Sequence, residues 1–190
     1  MPGSRWRQLA PRCGQVHVTR MRAPSFPTLA PRSLALASTL AAGAALGLAL
    51  ASETWGELVP CTLCLLERWP YRIAIVLGLA AAVVPSWFTR PLLALLAFTI
   101  LAGAAIAGVH TGVEFHWWPS PMPECAAKPF AGGSIADILK SMPARPAKPC
   151  DDPTFLIPGL PVSMAAMNML FALIFSGGLF VALTRKPSTP

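Results

Sequence analysis

Four stretches free of charge divide the sequence: Leu34 to Ala51, Ile73 to Phe88, Pro91 to Val109 and Val162 to Thr184. Each approaches or exceeds the roughly 20 apolar residues a helix needs to cross about 30 Å of hydrocarbon. The second is the shortest, and Tyr71 and Arg72 extend it into the interface. The pattern predicts an all-α membrane protein, a four-transmembrane-helix bundle over 33–186 with spans at about 34–51, 71–88, 91–110 and 162–184. Loops at about 52–70 and 111–161 then share one side. The short connection from Pro85 to Pro91 makes spans two and three antiparallel neighbours. A cleaved signal peptide would account for the first stretch alone, and no persuasive small-residue cleavage site follows it.

Residues 1–32 have no periodicity and are rich in proline and arginine, which reads as a disordered basic tail. Met21 would also serve as a start, leaving a short basic lead. Gly43 and Gly47 form a GxxxG spacing in span one, suited to a close helix approach or to general small-residue packing. Asn168, inside span four, is expected to hydrogen-bond between helices. The loop over 111–161 is proline-rich, with one short helix expected over Ser134 to Met142. The aromatic residues Phe115, Trp117 and Trp118 suit a loop lying on the interface.

Composition agrees with a membrane class. The 190 residues are 54% hydrophobic and only 12% charged, far from the balance of a soluble domain. The net charge of +7 would fit a nucleic-acid partner, but its placement does not. Arg5, Arg7, Arg12, Arg20, Arg22 and Arg32 precede span one, Arg90 lies between spans two and three, and Arg185 and Lys186 follow span four. With four alternating spans these fall on one side, which the positive-inside bias assigns to the cytoplasm. The expected partner is therefore the lipid bilayer of a bacterial inner membrane, with both termini cytoplasmic and both long loops periplasmic. No basic stripe interleaved with aromatics occurs outside the tail, so no nucleic acid is expected.

Topology sorts the five cysteines. Cys13 falls in the tail, on the reducing side. Cys61, Cys64, Cys125 and Cys150 all fall on the side where disulfides persist. Adjacency pairs Cys61 with Cys64 and leaves Cys125 with Cys150. Cys61-Thr-Leu-Cys64 is a CxxC, a spacing shared by redox centres that stabilise a thiolate. If that segment is helical, Cys61, Cys64 and Arg68 lie on one face, where the guanidinium and the helix N-terminus both favour a thiolate. Pro70 argues for a kinked or separate turn there. Arg68 is a candidate hydrogen-bond donor to a polar ligand head, or a snorkelling interface residue. Closing the Cys125–Cys150 loop would contribute roughly 3.5 kcal/mol through chain entropy. That fits a structural staple, while an exterior position also fits exchange with another protein's thiolate. Zinc is the competing use of four thiolates, but ribbons pair two CxxC motifs and this chain has one; no metal is expected. His110, at the level of Arg68, is a candidate ligand-binding residue; His116, Glu67 and Glu114 rank below it.

These residues resemble the bacterial disulfide bond formation protein DsbB family. The resemblance lies in Pro60-Cys61-Thr-Leu-Cys64-Leu-Leu-Glu67-Arg68-Trp-Pro-Tyr71, in His110 through Cys125, and in Cys150-Asp151-Asp152 leading to Ser163 and Asn168. It implies a quinone-dependent thiol oxidase. In that family the disulfide matching Cys125–Cys150 oxidises the periplasmic dithiol protein DsbA, with Cys125 taking the mixed disulfide. Electrons pass to the pair matching Cys61–Cys64, and Cys64 faces a bound ubiquinone or menaquinone. Arg68 matches the arginine that orients the quinone, and His110 a histidine near it. Pro153 and Thr154 depart from the family pattern, where an aromatic residue is common after the second loop cysteine. Pro158 and Pro161 interrupt a stretch that often reads as an interfacial helix. The alternatives are a membrane scaffold whose loops are merely stapled by disulfides, and a quinone-linked enzyme of the vitamin K epoxide reductase type. The latter usually carries its CxxC in a late helix.

Overall fold

The computed structural model describes residues 30–122, 125, 148–157 and 159–185. The basic tail with Cys13 and the short helix expected over Ser134 to Met142 lie outside them. Among the described residues there are four helices: α1 (Pro31–Thr54), α2 (Thr62–Val83), α3 (Ser86–Glu114) and α4 (Met164–Thr184). No strand occurs among the described residues. In the packing order α2 lies between α1 and α3, and α3 between α2 and α4.

The helix boundaries follow from the residues at them. Pro31 opens α1, where its missing N–H costs nothing and its fixed φ suits a first turn. Cys61 caps α2, its sulfur accepting from the Cys64 N–H at 3.2 Å, and Ser163 caps α4 by accepting from the Ala166 N–H at 3.2 Å. Val84, extended ahead of Pro85, ends α2, as a residue before proline is pushed out of the helical region. The α2–α3 connection is therefore only Val84–Pro85, shorter than the sequence reading, and the two helices are antiparallel.

The segment 62–70, read from the sequence as exterior loop, is the start of α2, and Pro70 sits inside an unbroken helix. A proline there forfeits one backbone hydrogen bond and crowds the preceding turn. Packing compensates: a Cβ added at Gly103 of α3 would lie 2.9 Å from Pro70 Cβ. The absence of that side chain lets the proline ring seat directly on α3. Gly43 and Gly47 have no such role, since an added Cβ meets nothing within 4 Å at either. The close approach of α1 and α2 is at Gly78, where a Cβ would come within 2.2 Å of Thr39 Oγ1.

Small residues fill the bundle interior and large ones face out. Ala35, Ala42, Ala74, Ala81 and Ala97 are buried with Leu93, Leu96 and Ile100. Leu40, Trp87 and Ile174 are 73%, 70% and 74% exposed. An apolar exterior of this extent is a solvent-facing liability in water and ordinary in lipid. Three helices, α1, α3 and α4, are long and apolar enough to cross a membrane; the chain is a helical membrane protein. The expected fourth span is not among them, because α2 carries Glu67, Arg68 and Arg72 in its first half.

Candidate functional site: a buried thiol pair against an apolar cavity

One end of the bundle gathers the four cysteines. Cys61, Leu63, Val113, Cys125 and Cys150 form one buried cluster, with Cys64 and Met122 packed on it. Cys125 and Cys150 are joined as a disulfide across 25 residues of sequence. That bond removes two of the four thiolates a zinc reading would need. Both are almost fully buried, at 3% and 0% exposure, where an accessible loop disulfide was expected.

The segments carrying this disulfide are fastened on both sides. After α3, the chain reverses with His116 in the left-handed region at φ 58°. The His116 N–H donates to the Val113 carbonyl at 3.0 Å and the Trp117 N–H to the Gly112 carbonyl at 2.9 Å, the paired bonds of a Schellman helix end. His116 is thus a helix terminator, a role its residue type does not signal. Trp118 then folds back over Gly112, where a Cβ would come within 2.0 Å of its ring, and donates from Nε1 to the Val109 carbonyl at 3.1 Å. On the other side, Lys148 Nζ donates to Thr154 Oγ1 at 2.8 Å, and the Met164 N–H donates to the Thr154 carbonyl at 2.8 Å. Ser163 Oγ donates to Glu114 Oε2, which ties the start of α4 to the end of α3.

Cys61 and Cys64 are free thiols with their sulfurs 2.9 Å apart. Cys61, just outside the first turn of α2, has its thiol held below the ordinary range, chiefly by the hydrogen bond from Cys64 and against the opposing effect of burial. The sulfur and nitrogen donor atoms of Cys61, Cys64 and His110 lie within 4.8 Å of one another. Cys61 Sγ is 3.4 Å from His110 Nε2, and His110 Nδ1 donates to Glu67 Oε1 at 2.7 Å. Glu67 Oε2 accepts from Asn168 Nδ2 at 2.6 Å, and Asn168 Oδ1 accepts from the Tyr71 hydroxyl at 2.5 Å. The chain Cys61–His110–Glu67–Asn168–Tyr71 links α2, α3 and α4, which makes Asn168 the interhelical residue expected.

Beside this chain lies a cavity of about 420 Å³. Its apolar wall includes Leu58, Val59, Leu156, Met167 and Phe171, and its polar end is Cys64, Glu67, Arg68, Tyr71 and Asn168. Cys61 and His110 are not in the lining; they sit behind Cys64 and Glu67. Arg68, only 8% exposed, donates from Nη1 to Glu53 Oε2 of α1 at 2.7 Å. Five of the six sequence-derived site residues are thereby grouped with the sixth, Arg68, one helix turn from Cys64. Tyr71 and Ser163 were not among the expected site residues and Glu67 ranked low; a charge within an apolar helix was the available signal for Glu67.

Asn168→Leu is expected to lower stability by about 1–3 kcal/mol, because Glu67 Oε2 and the Tyr71 hydroxyl both lose their partner inside the bundle. Thermal unfolding of the purified protein in detergent checks this; an unchanged midpoint would contradict the network.

A helical membrane protein with a largely buried dithiol, a disulfide packed on it and an adjoining apolar cavity is equipped for thiol–disulfide chemistry at the bilayer. The family described as disulfide bond formation protein DsbB matches residues 31–182, and the chain belongs to that family. It is also 31% identical over 137 residues to an uncharacterized protein, RP370, of Rickettsia prowazekii (strain Madrid E), covering 70% of this chain and 78% of that relative. No solved structure matches it. Membership makes it a membrane oxidoreductase of disulfide bond formation.

Proposed function

We propose that this chain is an inner-membrane protein-dithiol:quinone oxidoreductase that reoxidises a periplasmic DsbA-like dithiol protein. The observation that carries the reading is the packing of both cysteine pairs in one cluster, with Cys64 opening on the apolar cavity. In this reading α2 is the fourth span. Its Glu67 and Arg68 are buried at 6% and 8% exposure and paired within the bundle, the condition under which charges are tolerated in a span. The arginine-bearing ends then face the cytoplasm and the cysteine cluster faces the periplasm.

The partner's thiolate attacks Cys125 and displaces Cys150; the partner's second thiolate then releases it as a disulfide, leaving Cys125 and Cys150 as thiols. A thiolate of that pair attacks Cys61 of the Cys61–Cys64 disulfide and expels Cys64 at the cavity wall; the other sulfur of the pair then displaces Cys61, so that Cys125–Cys150 recloses and Cys61 and Cys64, taking up the two protons released, are left as thiols. Each exchange conserves one sulfur–sulfur bond and moves one electron pair inward.

The cavity fits a quinone. Its volume lies in the usual range of about 300–1,000 Å³ for ligand sites. The apolar wall suits an isoprenoid tail, while Arg68 and Asn168 offer donors for ring oxygens. Bound there, ubiquinone or menaquinone supplies a sink for two electrons and two protons. Arg68, fixed by Glu53, orients the ring, and His110 lies behind the reacting pair.

The test is oxidation of a reduced DsbA-like protein by the purified chain in detergent, with and without added quinone. Multiple turnovers are expected only with quinone. Turnover at the same rate in quinone-free, anaerobic protein would overturn the reading.

A further inference from the structure

Closing a disulfide from two thiols releases two electrons and two protons, and the two thiols of this pair are placed differently for the second task. Cys64 lines the cavity. Cys61 is 4% exposed and is not in that lining, so its proton has no direct route there. Its sulfur faces His110 Nε2 at 3.4 Å. The opposite ring nitrogen donates to Glu67 Oε1 at 2.7 Å, and Glu67 is part of the cavity wall. An unbroken chain of hydrogen bonds therefore runs from the enclosed thiol to the cavity through one imidazole and one carboxylate.

We propose that electrons and one proton leave this dithiol by separate routes, with His110 and Glu67 carrying the Cys61 proton to the cavity. The proposal rests on the quinone-linked reading above. As Cys61 bonds to Cys64, the Cys61 proton passes to His110 Nε2 while the Nδ1 proton passes to Glu67. Glu67 releases it to a quinone oxygen in the cavity, and Cys64 delivers the second proton directly. The balance is one disulfide and one quinol from two thiols and one quinone.

The surroundings of His110 select Glu67 for this role. From α2 it meets Cys61, Cys64 and Glu67. On α3 the other carboxylate, Glu114, is 4.0 Å from Nε2 and is held by the Ser163 hydroxyl. From α4 the polar groups are Ser163 and Asn168, neither of which titrates. Arg68 is paired with Glu53. Asn168 holds the second oxygen of Glu67 at 2.6 Å, which fixes the carboxylate plane between imidazole and cavity; Asn168 is a positioning residue.

Glu67→Gln keeps the size and one acceptor but cannot carry the proton, and Glu67→Asp restores the acid. Three readouts separate transport from structure. In prereduced full-length protein, quinone reduction by Glu67→Gln is expected to be slowed about 10²-fold, the scale of a lost acid–base group, with partial recovery in Glu67→Asp. The rate of disulfide exchange between the partner and Cys125–Cys150 is expected to stay at wild type. In quinone-free reduced protein, the pH midpoint for Cys61 alkylation by iodoacetamide, mapped by mass spectrometry, is expected to fall on loss of the carboxylate, whose negative charge opposes the thiolate. An unmoved midpoint, or equal slowing of both redox steps, overturns the relay alone. Failure of the wild type to reduce quinone overturns the quinone reading and the relay's destination with it.

Discussion

Cys64→Ser protein is expected to lose quinone-dependent turnover by on the order of 10³-fold or more, the scale seen when a covalent-chemistry group is removed. Cys64 is the thiol of the inner pair that opens on the cavity, so without it Cys61 has no sulfur to close on and no route for an electron pair. The fold should tolerate the change. Cys64 is only partly buried, and the cap of α2 depends on its backbone N–H rather than its side chain. Once closed by an external oxidant, the Cys125–Cys150 bond is therefore expected to undergo a single exchange with a dithiol partner. Rates measured with a reduced partner and excess quinone check the first part, and a nonreducing mass map checks the second. Turnover unaffected by the substitution would refute the route.

Cys150→Ser is expected to accumulate a covalent adduct with the partner, attached through Cys125. In the wild type, Cys150 closes on Cys125 and clears such adducts; with a hydroxyl there, that internal exit is gone. A nonreducing gel should show a new band at the summed mass, absent from the Cys125→Ser Cys150→Ser double variant. An adduct of equal yield through Cys61 would mean that the partner bypasses the outer pair. The burial of Cys125 and Cys150 adds a further expectation: the adduct forms more slowly than exchange with a small dithiol of similar strength.

Much of this architecture was legible in the chain because hydrocarbon imposes a simple demand on it. Three charge-free stretches became α1, α3 and α4, and the CxxC, Arg68 and His110 fell near one level. What escaped depended on tertiary packing. Pro70 argued for a break, but Gly103, on the neighbouring helix α3, makes room for its ring, so α2 runs unbroken from Thr62. Glu67 meets His110 and Asn168 across 43 and 101 positions, separations over which periodicity carries no information. His116 occupies a left-handed position that glycine usually signals. The enclosure of the Cys125–Cys150 bond was likewise invisible, since proline-rich composition spoke only for an exterior loop.

The most direct test of the relay starts from fully reduced protein, stripped of quinone and freed of reductant under anaerobic conditions. Quinone is added, samples are quenched with an alkylating agent, and each cysteine is scored by mass spectrometry. The account predicts that Cys61 and Cys64 become protected first, that Cys125 and Cys150 follow, and that in Cys64→Ser the outer pair stays reduced. Protection of Cys125 and Cys150 at an undiminished rate in Cys64→Ser would contradict it.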